Sequence, residues 1–315
     1  MMMTALVKQG SRVALRQVWR PVPDRDEVLV RVVVAGVCRT DLHVADGRIP
    51  GPEPLILGHE FSGVVEAAGP DAGGCGPGCR VAVSPIIPCL DCERCFAGDA
   101  INCGRRAMLG VDRDGAFAEY VCVPGRCVWP LPNGASFAAG AYAEPIAAAL
   151  GVLNAAIHPL HRGVILGNNR FAALTQRVLE CQGFKHLARA DPAKAAALPG
   201  DAFDFVIETA LTTETLREMV RLARPRATLV LKSRQPGLVG LDVNAALRKQ
   251  LTLRAVQYGH FVQAMGLLAR DRLSLDGLLG PAYPLADFAQ VFARASHNES
   301  AKLFFHIAAD HVWDR

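Results

Sequence analysis

Four cysteines, at positions 89, 92, 95 and 103, constrain this chain more tightly than any other feature of its sequence. Two residues separate each of the first three, and seven separate Cys95 from Cys103. Four thiolates on one short segment can wrap a single tetrahedral Zn²⁺, and a closed four-sulfur shell of this kind is structural rather than catalytic. The Cys-x2-Cys-x2-Cys run also opens a ferredoxin-type iron–sulfur motif, but that motif takes its fourth cysteine after three residues, with proline behind it. Here the gap is seven and Gly104 follows, so the spacing supports zinc.

The remaining bounds are broad. A chain of 315 residues is long enough for two domains, each with its own core. Its net charge of +4 is dispersed, with no run of like charges, which argues against nucleic acid or a membrane surface as partner. The N-terminus lacks an apolar leader, and no stretch reaches the roughly eighteen apolar residues of a spanning helix. A cytoplasmic location is expected, and there ten cysteines are metal ligands or buried thiols rather than disulfides. Cys75 and Cys79 read as incidental loop thiols.

Up to about residue 130, short β-rich runs such as EVLVRVVVAGV, SGVVEAAG, CRVAVSPII and FAEYVCVP alternate with Gly and Pro, predicting a mostly β domain. After an Ala-rich helical stretch, strands and helices alternate through GVILG, FAALTQRVLE, KHLARA, FDFVIETA, TETLREMVRLA and ATLVLKS. That alternation predicts a parallel sheet covered on both faces. The late segments PAYPLADFAQVFARA and AKLFFHIAA can return to the first domain as a helix and a strand.

A second group of ligand types lies upstream. Cys38, His59 and Glu60 offer a thiolate, an imidazole and a carboxylate, an acceptable catalytic zinc shell if one position stays open. Their surroundings are GVCRTDLHVADG and GHEFSGVVEAAG, followed by the cysteine segment, DGAFAEYV, AEPIAAAL and AKLFFHI. In this order the motifs resemble the zinc-dependent medium-chain dehydrogenase/reductases, the superfamily of alcohol, sorbitol and threonine dehydrogenases, from about residue 4 to residue 307.

The resemblance implies an α/β chain: a GroES-like β-rich catalytic domain (1–143 and 281–315) and a Rossmann doubly wound parallel sheet (144–280), with zinc in the cleft between them. It implies one catalytic zinc on Cys38, His59 and Glu60, with Glu144 as a further ligand or acting through water, and one structural zinc on Cys89, Cys92, Cys95 and Cys103. Thr40 and His43 fit the relay that carries a proton from the substrate oxygen. The cofactor positions implied are Gly167, Asn168, Asn169, Arg170, Arg189 and Thr209. The partners implied are a small-molecule substrate and further copies of the chain, as a dimer or tetramer.

The cofactor half departs from the family pattern. Of the G-x-G-x-x-G turn only Gly167 remains, with Asn169 and Ala172 at the other two positions. The Asn169 side chain would point toward the pyrophosphate. DPAKAAALPGDA is too short for the usual helix plus third strand, so the sheet should be shortened. Ala210 replaces a glycine that approaches the nicotinamide ribose. The second strand offers no acidic residue in the usual place, and Arg189, with Arg170, could instead receive a 2′-phosphate, leaning the cofactor toward NADP. Two functions follow: hydride transfer between NAD(P) and a secondary alcohol or ketone, or a redox-neutral zinc enzyme or non-catalytic homologue without dinucleotide.

Overall fold

The computed structural model describes residues 1–234, 237–270, 272–297 and 300–307. Residues 308–315, part of the expected return segment, lie outside these. The chain divides into unit 1, Met1–Glu144 with the chain from Leu279, and unit 2, Pro145–Leu278. Among the described residues no helix is long and apolar enough to cross a membrane.

Unit 1 opens with the hairpin β1 (Met2–Gln9) and β2 (Arg12–Trp19). The valine-rich β3 (Glu27–Gly36) is buried along almost its whole length, as expected of a strand with neighbours on both edges and cover on both faces. A short helix α1 (Arg39–Ala45) leads to β4 (Leu55–Ile56), which joins β1, and to β5 (Glu60–Ala68) and β6 (Arg80–Val83). The cysteine lobe lies between β7 (Ile86–Ile87) and β8 (Ala107–Met108) and holds α2 (Glu93–Phe96). Next come β9 (Tyr120–Pro124), β10 (Val128–Pro130) and α3 (Phe137–Ala141), whose N-terminus is capped by Ser136. The helix α4 (Ala143–Leu150) carries Glu144 in its first turn.

Unit 2 alternates β11 (Gly163–Leu166), α5 (Arg170–Cys181), β12 (Leu187–Ala190), β13 (Phe203–Glu208), α6 (Thr213–Leu222), β14 (Ala223–Leu231), α7 (Val243–Lys249), β15 (Thr252–Ala255) and α8 (Phe261–Ala269). All its strand pairs are parallel, in the order β12-β11-β13-β14-β15. The segment after β12 forms only a 3-10 helix, Pro192–Ala197, so β12 is an edge and the sheet is short by the strand that would flank it. From β11 the chain moves outward to β12, then crosses back to β13 on the other side. That reversal opens a crevice beyond the carboxyl ends of β11 and β13, where doubly wound sheets bind ligands.

The chain then returns to unit 1 through β16 (Leu279–Pro284), α9 (Phe288–His297) and β17 (Lys302–His306). The last of these pairs antiparallel with β3, which completes a sheet of order β10-β6-β5-β3-β17-β16 with β9 also on β3.

Candidate active site

Three ligand types converge in unit 1 because strand register places them. β3 ends at Gly36, directly opposite Glu60, the first residue of β5. A Cβ at Gly36 would lie 2.7 Å from Glu60 Oε2, so glycine there leaves room for the carboxylate. Cys38, two residues on, begins α1, while His59 precedes β5. One sulfur, one ring nitrogen and one carboxylate oxygen of Cys38, His59 and Glu60 lie within 4.8 Å of one another.

Asp41 ties this group together. One of its oxygens accepts the Cys38 backbone N–H at 2.8 Å, and the other lies 2.9 Å from His59 Nδ1. With Nδ1 donating to Asp41, His59 Nε2 turns toward the cluster. That nitrogen is buried and has no hydrogen-bond partner among the described residues. Burial opposes a charge on the ring, yet the neighbouring Asp41 carboxylate and Cys38 sulfur hold His59 well above its ordinary pKa. An electrostatic environment that favours positive charge, a buried imidazole nitrogen awaiting a partner, and sulfur, nitrogen and oxygen donors all fit Zn²⁺.

Glu60 is 1% exposed and pairs with Lys302 of β17, itself 2% exposed. Lys302 also donates to the Val37 carbonyl at 3.2 Å. Thr40 is buried and His43 half-buried on α1, three residues apart and hence on neighbouring faces of one turn. Glu144 is buried as well, but it stands outside the group of three.

In the cysteine lobe the sulfurs of Cys89, Cys92, Cys95 and Cys103 are mutually close. The separations are 3.4 Å for Cys103–Cys89, 3.5 Å for Cys92–Cys95, 3.8 Å for Cys92–Cys103 and 4.0 Å for Cys89–Cys95. Tetrahedral Zn–S bonds of about 2.3 Å place sulfurs about 3.8 Å apart, so the lobe fits the metal. Backbone N–H groups of Cys89 and Asp91 point at sulfurs of the set, each at 3.4 Å, which suits thiolates.

The turn after β11 corrects one expectation. Asn169 does not point outward: its Oδ1 accepts the Ala172 N–H at 2.8 Å and its Nδ2 donates to Thr209 Oγ1 at 3.1 Å. The side chain caps α5 and ties it to the end of β13, because asparagine at an N-cap satisfies an otherwise orphaned amide. Gly167 is kept for space, since a Cβ there would lie 2.0 Å from Thr209 Oγ1. A second correction concerns the acidic residue. β12 stops at Ala190, so Asp191 is the first residue beyond it, and Asn168 donates to its carboxylate at 3.3 Å. Arg189 is exposed on the edge strand, and Arg170 is half-buried at the start of α5. A helix N-terminus with a carboxylate at the neighbouring strand end fits a dinucleotide.

Residues 24–133 match the alcohol dehydrogenase GroES-like domain family. A candidate zinc-binding dehydrogenase from Sinorhizobium meliloti 1021, in complex with NADP, superposes with a TM-score of 0.89 at 28% identity, over 97% of this chain and 99% of that one. The family match and this likeness support the zinc-dependent medium-chain dehydrogenase/reductase superfamily. Within that superfamily, galactitol 1-phosphate 5-dehydrogenase of Escherichia coli K12 is 27% identical over 312 residues, 87% of this chain and 90% of that enzyme. The starvation-sensing protein RspB of the same strain is 35% identical over 152 residues, 48% of this chain and 45% of RspB.

Asp41, Lys302 and Asp191 were not among the site residues expected from the sequence. Asp41 carried a local signal, a carboxylate three residues after Cys38 in the position of a capping box. Lys302 had none, because its partner lies far back in the chain.

Proposed function

We propose that this dehydrogenase-family protein transfers hydride between NAD(P) and a secondary alcohol or polyol-like hydroxyl, or the matching ketone. The observation that carries the proposal is the His59 ring fixed by buried Asp41, with its other nitrogen turned toward Cys38 and Glu60. Bound to Cys38, His59 and Glu60, zinc would supply a Lewis acid for the substrate oxygen, while the nicotinamide would give or take the hydride. The chain's own residues do the rest. Asp41 fixes the His59 tautomer, and Lys302 balances the Glu60 charge. Thr40, buried, takes the proton of the substrate hydroxyl and hands it to half-buried His43, which releases it toward solvent. Glu144, outside the three-residue group, acts through water.

For the cofactor, the first turn of α5 receives the pyrophosphate and Asp191 takes the ribose hydroxyls. A carboxylate at that position repels a 2′-phosphate, so Asp191 rather than Arg189 sets the choice, and the choice is NAD. The enzyme works in the cytoplasm as a homo-oligomer. One observation favours the redox-neutral alternative: Asn169 occupies the Ala172 amide, one of the donors a phosphate would use.

Titrating the zinc-loaded protein with NADH and NADPH by nicotinamide fluorescence separates the two. Saturable binding at about micromolar concentration, tighter for NADH, is expected for a dehydrogenase site. No saturation with the fold intact would overturn hydride transfer.

A further inference from the structure

The connection between β5 and β6 holds two cysteines that neither zinc group uses. Gly76-Pro77-Gly78-Cys79 forms a β-turn closed by the Cys79 N–H and the Gly76 carbonyl at 3.2 Å. Proline stands at its second position and Gly78, with φ of 86°, at its third, the pattern of a type II turn. Cys75 immediately precedes this turn and Cys79 ends it, so the reversal brings the two residues alongside one another. The turn is anchored on β5, where Gly78 N–H and Cys79 C=O bond the two polar groups of Val65 at 2.8 and 2.9 Å.

Cys75 is 5% exposed, while Cys79 is half-buried. Burial first, then the hydrogen bond and the charge of the Cys79 sulfur, pushes the Cys75 thiol up to about 11. After burial, the largest influence on it is the other sulfur. A Cβ added at Gly73, Gly74, Gly76 or Gly78 would meet nothing within 4 Å, so no neighbouring group crowds the loop at these positions.

We propose that Cys75 and Cys79 are a redox-active dithiol that closes to an intramolecular disulfide with a low-molecular-weight disulfide such as oxidised glutathione. The Cys79 thiolate, the more accessible, attacks one glutathione sulfur; the glutathione S–S bond breaks, one glutathione thiolate leaves and a mixed disulfide forms. Cys75 then gives up its proton and attacks the Cys79 sulfur, breaking the mixed disulfide and releasing the second glutathione. In sum, two electrons and two protons pass from the cysteine pair to glutathione disulfide. Cys122, pushed up to about 12, and Cys127, pushed up to about 11, are also held as thiols chiefly by burial. What sets Cys75 apart from them is a second thiol within reach.

The test equilibrates the zinc-loaded full chain in glutathione buffers of rising oxidised fraction, at ratios where bound zinc is retained. Free thiols are blocked by alkylation, and tryptic peptides are then weighed. Cleavage after Arg48 and Arg80 leaves Cys75 and Cys79 as the two cysteines of one peptide. The expected result is that this peptide loses two hydrogens and both alkylation sites together, while Cys122, Cys127 and Cys181 remain alkylated, and that dithiothreitol reverses the change. Cys75→Ser should then leave Cys79 as a glutathione adduct. Oxidation of Cys75 and Cys79 no earlier than the three single thiols would overturn the proposal, as would linkage only to glutathione or to another chain.

Discussion

Asp41 Oδ1 lies 2.9 Å from His59 Nδ1, and neither side chain reaches solvent. A buried carboxylate that fixes a ligand's tautomer contributes to metal affinity without touching the metal. Asp41→Asn is expected to lower zinc affinity at the Cys38 group by about 10–100-fold. Competition with a chromophoric chelator should show one of two zinc ions weakened and the other, in the cysteine lobe, unchanged.

Lys302→Met leaves the Glu60 carboxylate buried without its ammonium partner. Removing one member of a buried ion pair costs about 3–5 kcal/mol, so urea denaturation should show a loss of that order. Pairing Lys302→Met with Glu60→Gln should restore much of it, which a simple packing defect would not allow.

Asn169→Gly removes the side chain that caps Ala172. An N-cap change to glycine costs a few tenths of a kcal/mol, whereas Asn169→Ala should cost about 1 kcal/mol. The glycine variant should also bind NADH more tightly, because the Ala172 amide becomes available to phosphate. Unchanged affinity would mean the amide takes no part.

Asp191→Ser tests the cofactor choice. Loss of a hydrogen bond to a charged acceptor is worth roughly 1.5–3 kcal/mol, so NADH should weaken about tenfold or more. The gap to NADPH should narrow, and an Arg189→Ala variant should keep the parental order of the two.

Chelation of the lobe zinc should expose Arg94, Arg105 and Arg106 to trypsin, since a segment folded around metal does not hold its shape without it. Affinity there should climb with pH. Desolvation, then hydrogen bonding to Cys92, pushes Cys95 up to about 12, so zinc must displace a proton to bind and loses that competition as pH falls.

Local spacing made much of this legible. Cys89 to Cys103 need only a short stretch of chain to meet, and the valines of β3 announce a buried strand by composition alone. The shortened sheet was readable because twelve residues after Ala190 cannot supply both a helix and a strand. Features set by long-range register were not. Lys302 meets Glu60 only because β17 pairs with β3, beside which β5 lies. Asp191 was hidden by uncertainty of one residue in where a strand ends, and Asn169 by a choice between two directions for one side chain.

The pairing of β17 with β3 also sets an order of assembly during synthesis. Lys302 follows the whole of unit 2, so a ribosome adding about 5–20 residues each second makes Glu60 wait on the order of tens of seconds for its counter-ion. Unit 2, whose segments are contiguous, can fold in that interval. The nascent metal cluster passes through a stage with an unbalanced carboxylate, and premature release of the chain would leave unit 1 with an open sheet edge at β3, a surface that other strands can join.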